Sequence, residues 1–165
     1  MPTMQPLRAD HASEILAFER ENRSYFAASV PDRGEAYFDA FADRHDALLA
    51  EHAAGVGAYY VLIADDGTIL GRFNLVFVDA DSAELGYRVA ERAAGRGVAS
   101  AAVREICLLA AASHGIRALR AVTADGNLAS QKVLANAGFV PAGPAEPASL
   151  GGQPGTWYEL ELPLG

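Results

Sequence analysis

The chain has 165 residues and a mass of 17.3 kDa, enough for one domain whose apolar core needs no disulfide staple. A net charge of −8 and a pI near 4.9, with the acidic residues spread along the chain, argue against nonspecific binding to nucleic acid. The lone Cys107 excludes an internal disulfide, no apolar run nears the ~20 residues of a membrane span, and no secretion-signal pattern opens the chain, so a cytoplasmic protein is expected.

From Asp10 the pattern is helical, with Ala12, Ile15, Leu16 and Phe18 at helical spacing, and a second helix is predicted over 32–54 on Tyr37, Phe38, Phe41, Leu48 and Leu49. The polar and aromatic run 21–26 between them reads as a loop or helix end. The period then shortens. Residues 59–64 and 69–78 read as strands joined by the hairpin signal Asp65-Asp66-Gly67-Thr68, and Asp79-Ala80-Asp81-Ser82 turns the chain into a third strand, 83–89. Beyond the glycine run 95–97 a helix is predicted over 98–112, with His114-Gly115 at its end. A strand over 118–124, a helix over 128–137 closed by Gly138, and a last strand over 156–163 follow. The proline- and glycine-rich stretch 141–154 reads as a loop, and no repeat or interdomain linker interrupts the order.

Gly95-Arg96-Gly97-Val98-Ala99, between a strand and a helix, reads as a phosphate cradle, because glycines admit a bulky anion and the first helical turn leaves amides unpaired. Three cradles fit to different degrees. A nucleotide P-loop needs Lys-Ser or Lys-Thr after its last glycine, where Val98-Ala99 stands. A dinucleotide site fits Gly95-x-Gly97-x-x-Ser100 nearly, but it wants a first parallel strand before the turn and a carboxylate about 20 residues on; an antiparallel meander precedes here, and Asp125 lies 28 residues past Gly97.

The third cradle uses the whole element order. Glu84-Leu85-Gly86-Tyr87-Arg88-Val89 ahead of Gly95-Arg96-Gly97-Val98-Ala99, and Asn127-Leu128-Ala129-Ser130-Gln131-Lys132-Val133-Leu134 closing on Gly138-Phe139, resemble the GNAT superfamily of acetyl-CoA-dependent N-acetyltransferases. Within it the chain is similar to the branch that acetylates ribosomal-protein N-termini, alanine or serine. The resemblance implies a single α/β domain over residues 1–165. Its sheet would be mixed, mostly antiparallel and splayed, flanked by helices. It also implies acetyl-CoA as the cosubstrate and direct attack by an amine in a ternary complex.

Site residues follow from the same resemblance. Tyr87 and Val89 would offer backbone to the pantetheine arm, Gly95, Arg96, Gly97, Val98 and Ala99 would hold the diphosphate, and Asn127, Ser130 and Lys132 would reach the cofactor from the far side. Ala94 stands where the superfamily usually has Gln or Arg, with Arg92 or Arg96 to supply the charge. Glu84 is the candidate base; Ser130 is the candidate acid, because Leu134 stands where many members carry a tyrosine. Asn22, Tyr25 and Phe26 are the expected substrate contacts, with Glu19 or Glu21 nearby to suit a cationic amine. Cys107 and the histidines receive no chemical role, no metal is expected, and a homodimer is left open. Protein N-termini lead as acceptors, small amines come next, and a silent acyl-CoA-binding module remains an alternative.

Overall fold

The computed structural model describes residues 1–163. Seven strands form one sheet in the order β1-β2-β3-β4-β5-β7-β6. They are β1 (Thr3–Pro6), β2 (Gly57–Ile63), β3 (Ile69–Phe77), β4 (Ser82–Val89), β5 (Ala118–Ala124), β6 (Val140–Ala145) and β7 (Gly155–Glu161). Every neighbouring pair is antiparallel except β4 and β5. The meander β2-β3-β4 is set by its turns. In the first, Gly67 takes φ +88° and the Asp66 carboxylate accepts the Thr68 amide at 3.0 Å; in the second, the Asp79 carboxylate accepts the amides of Asp81 and Ser82 at 3.1 and 2.9 Å.

Helices cover both faces, so the central strands are apolar in near-continuous runs. On one face Tyr60, Leu62, Phe73, Leu75, Ala83 and Leu85 pack with Val103, Ile106 and Ala110 of α5 (Val98–His114) and Leu134 of α6 (Leu128–Asn136). On the other, Tyr59 and Val61 pack with Ile15 and Phe18 of α1 (Ala12–Glu21), Phe26 of α2 (Arg23–Ala27), Tyr37 of α3 (Glu35–Asp39) and Phe41 of α4 (Phe41–Ala54). Cys107 is buried, which pushes its thiol up to about 11 and leaves it an inert packing residue at neutral pH.

Four expectations are corrected. The N-terminal strand β1 is an addition, because Thr3–Pro6 is short, ends in proline and has no alternation to read. Residues 21–26 do not form a loop: α2 begins at Arg23. The single helix over 32–54 is two, α3 and α4, starting after Gly34 at φ +85° and breaking at Ala40. The stretch 141–154 is not all loop; it contains the edge strand β6, where Pro141 and Pro144 are tolerated beside a register shift between Pro141 and Gly143.

Candidate active site

Strand β4 pairs with β5 only from Ser82↔Ala118 to Glu84↔Arg120. Beyond Glu84 it keeps its partner β3 as far as Gly71↔Val89, while β5 keeps β7 as far as Ala124↔Gly155, so the facing edges of the two strands part. Two adjoining cavities fill the gap. One, of about 110 Å³, is walled by Leu85 and Gly86 on one side and 121–124 on the other; the second, of about 210 Å³, runs past Tyr87 and Val89 to Gly95 and Ala99. An extended ligand entering here meets backbone groups that no strand has claimed, which is the geometry of a guest strand.

The glycine turn closes the far end. Gly95 and Gly97 take φ +72° and +74°, and a Cβ built at either meets no heavy atom within 4 Å. Both glycines therefore serve a left-handed backbone and an open approach. Gly97 caps α5, and Ala101 bonds back to its carbonyl at 3.0 Å, so the amides before Ala101 lie at the positive end of a 17-residue helix. This arrangement fits a diphosphate held by backbone. The expected charged helpers stand elsewhere: Arg92 donates to the Thr68 hydroxyl in the β2–β3 turn, and Arg96 and Lys132 are exposed and line neither cavity.

Asn127 and Ser130 line both cavities. The Asn127 side chain accepts the Ser130 amide at 3.2 Å, capping α6, so one residue both ends the loop and faces the gap. The Ser130 hydroxyl lies 3.0 Å from that of Tyr87. Burial raises the Tyr87 pKa against the opposing effect of Ser130, so its proton stays on at neutral pH. Only the Tyr87 backbone was expected to matter; the structure adds its hydroxyl, held by stacking on Phe73 at 5.9 Å.

Glu84 lies in the last paired step of β4, opposite Val76 and Arg120, and lines neither cavity. Gly86, two residues on and on the same face, does line the smaller one. Tyr25 and Phe26 form part of the outer wall together with Ser29 and Val30. Asn22 does not join them. It is buried, its amide donates to the Phe18 carbonyl at 2.9 Å and its oxygen accepts the Glu91 amide at 3.0 Å, so it ties α1 to the end of β4 and lines neither cavity.

Glu19 also departs from expectation. Its side chain is 1 % exposed and takes three guanidinium groups: Arg33 at 3.0 and 3.3 Å, Arg72 at 2.8 Å and Arg88 at 3.5 Å. Burial raises its pKa, but the charges and hydrogen bonds of Arg33 and Arg72 outweigh this and hold the carboxyl below its ordinary range. The group is thus spent on arginines and does not attract a cationic amine. A signal for this cluster exists in the sequence: the Asp79–Ser82 turn places Arg72 directly opposite Arg88, a like-charged pair that demands a carboxylate.

Among the described residues no metal-ligating group of three His, Cys, Asp or Glu exists, and no helix is long and apolar enough to cross a membrane. A family model, the acetyltransferase (GNAT) domain, matches residues 3–140. No curated protein matches the chain. Solved structures share the fold. The ribosomal-protein-S5-alanine acetyltransferase from Vibrio fischeri superposes with a TM-score of 0.87 at 20 % identity, over 96 % of this chain and 91 % of that one. RimJ from Mycobacterium smegmatis, solved with CoA-disulfide, gives 0.84 at 21 %, over 96 % and 80 %. A single-residue mutant of the spermidine N-acetyltransferase SpeG from Vibrio cholerae gives 0.77 at 14 %, over 97 % and 93 %. With the split sheet, the glycine turn and a family match over most of its length, the chain belongs to the GNAT acetyltransferases and is an acetyl-CoA-dependent N-acetyltransferase.

Proposed function

We propose that this enzyme is a cytoplasmic one, that residues 1–165 form its single domain, and that it acetylates an α-amine at a protein N-terminus, the amine attacking directly in a ternary complex. The observation that carries this reading is that neither cavity is lined by an Asp or Glu among the described residues. An acceptor must then arrive partly neutral. An α-amine with a pKa near ~8 does so at pH 7, whereas an alkylammonium near ~10.4 needs a base in contact with it. Resemblance to the ribosomal-protein branch supports the same class.

The bound acetyl-CoA supplies an activated thioester. In this proposal the amides from Gly95 to Ala99 hold its diphosphate, and the β4 edge at Tyr87 and Val89 aligns its arm. Arg96 and Lys132 reach its outer phosphate from solvent. Ser130, backed by the Tyr87 hydroxyl, donates a proton to the departing sulfur. Glu84, one strand step beyond Gly86 and about 7 Å from it, receives the amine proton through water. Tyr25 and Phe26 pack on the acceptor. The test is an acetyl-transfer screen of N-terminal peptides against spermidine and other small amines, read by mass spectrometry. Peptides should lead by at least about tenfold in kcat/KM, and a lead by spermidine would overturn the reading. Glu84→Gln should lower turnover most below pH 7 while leaving the coenzyme A melting shift intact; equal rates from pH 6 to 9 would remove Glu84 from the proton path.

A further inference from the structure

The arginine cluster has more positive charge than its one carboxylate balances. The ion pairs of Arg33, Arg72 and Arg88 all end on Glu19. Arg72 is 8 % exposed and Arg88 20 %, so solvent cannot neutralise the excess as it would at the surface. Burial and the neighbouring Arg33 charge both lower the Arg88 pKa, with Glu19 only partly offsetting them. Tyr37 adds a hydroxyl that accepts from Arg72 at 3.1 Å, and its ring lies under Arg33 at 4.6 Å, contacts that orient guanidinium groups without cancelling their charge.

The cluster opens in two directions. Arg88 lines the larger cavity of the cleft, and its guanidinium stands 5.0 Å from the ring of Phe26, which lines the same cavity. Arg33 and Arg72 line a separate cavity of about 230 Å³ between α3, α4 and β3. Arg88 sits on the strand face opposite Tyr87 and Val89, so its charge is directed away from the helices that carry the diphosphate turn.

We propose that the acceptor carries a carboxylate a few atoms from its amine, and that this carboxylate docks on Arg88, with Arg33 and Arg72 behind it across Glu19. Planar guanidinium forks match a carboxylate in charge and shape, and a buried surplus of cations makes the bound anion the missing partner. This deepens the reading of an α-amine acceptor. The carboxylate belongs either to an acidic side chain early in a peptide or to the α-carboxyl of a free amino acid. A polyamine, with cations where the anion should be, is excluded by repulsion.

Two matched pairs of acceptors test it with the whole chain and acetyl-CoA. One pair is a serine-initiated peptide amide with glutamate or glutamine at its second residue; the other is serine and serinamide. With kcat/KM expressed per neutral amine, since the carboxylate raises the amine pKa of serine above that of serinamide, the carboxylate member of at least one pair should be at least about tenfold higher, and the responding pair identifies the source. Arg88→Gln should reduce that preference below about threefold through KM, and Arg33→Gln, which acts through Glu19, should reduce it less, both with the coenzyme A melting shift unchanged. Equal or reversed preference in both pairs, or a preference that survives both substitutions, overturns the proposal. Should none of the four be acetylated, calorimetry of their N-acetyl products on the coenzyme A complex reads the same preference, and equal affinities overturn it. Activity on serine but on neither peptide would count against the N-terminal reading alone.

Discussion

The two faces of the sheet use opposite means to hold charged groups. On the α5–α6 face the proposed grip on the cofactor is backbone: two left-handed glycines and the end of a long helix, all within Gly95 to Ala101. On the α1–α4 face the grip comes from side chains at 19, 33, 72 and 88, which meet only because strand register and helix packing bring them together. A backbone grip suits a ligand common to a whole family, since it survives side-chain drift. A side-chain grip suits an acceptor that differs from member to member.

That contrast can be broken most severely at Gly97. Gly97→Glu adds a Cβ at φ +74° and a negative charge over the open turn. We expect complete loss of coenzyme A stabilisation in thermal melts and calorimetry, while the acceptor cluster keeps its structure. Ser130→Ala and Tyr87→Phe come next: each removes half of the 3.0 Å hydroxyl pair. Each should lower kcat about tenfold with the KM for acetyl-CoA nearly unchanged, because a thiolate leaves with modest assistance. Equal loss in KM would make the pair a binding contact only.

On the other face, Glu19→Gln leaves three guanidinium groups without a carboxylate. We expect a loss of about 3 kcal/mol in urea unfolding, with coenzyme A still binding the folded fraction. The pH dependence has a defined sign. Because the folded pKa of Glu19 lies below its ordinary value of 4.5, its contribution is complete above that pH and is lost as pH falls through the lowered value. The Glu19→Gln variant should lack that acid limb, which in the wild type sets in as pH falls below 4.5. Smaller still, Asn22→Ala should cost about 1–2 kcal/mol through its two lost hydrogen bonds, with the acceptor KM unchanged; a raised KM would return Asn22 to the substrate site.

The difference between the faces also governs what could be read from the sequence. Gly95 to Ala99 and Asn127 to Leu134 are contiguous, so their geometry, a left-handed turn ahead of α5 and a capped start of α6, is local and can be read without coordinates. The meander was legible for the same reason, since each turn carries its own Asp chemistry, with Gly67 added in the first. The roles of Glu19 and Asn22 were not, because a carboxylate or amide in a helix looks alike whether it faces solvent, substrate or three arginines. Strand β6 was hidden by prolines that only an edge position tolerates, and β1 by its brevity. Glu84 falls on the expected strand but lines neither cavity, because where β4 and β5 cease to pair is set by packing that no local pattern records.

A cradle of amides on an acidic chain has a signature in salt. Amide dipoles act over a few ångströms, while the net charge of −8 repels a polyanionic cosubstrate at long range. Raising ionic strength from about 0.01 M to about 0.1 M shrinks that long-range field and barely touches the dipoles. Where the amides and the net charge dominate, coenzyme A should associate slightly faster as salt is added; slower association would instead credit Arg96 and Lys132 at the outer phosphate, and stopped-flow rates distinguish the two.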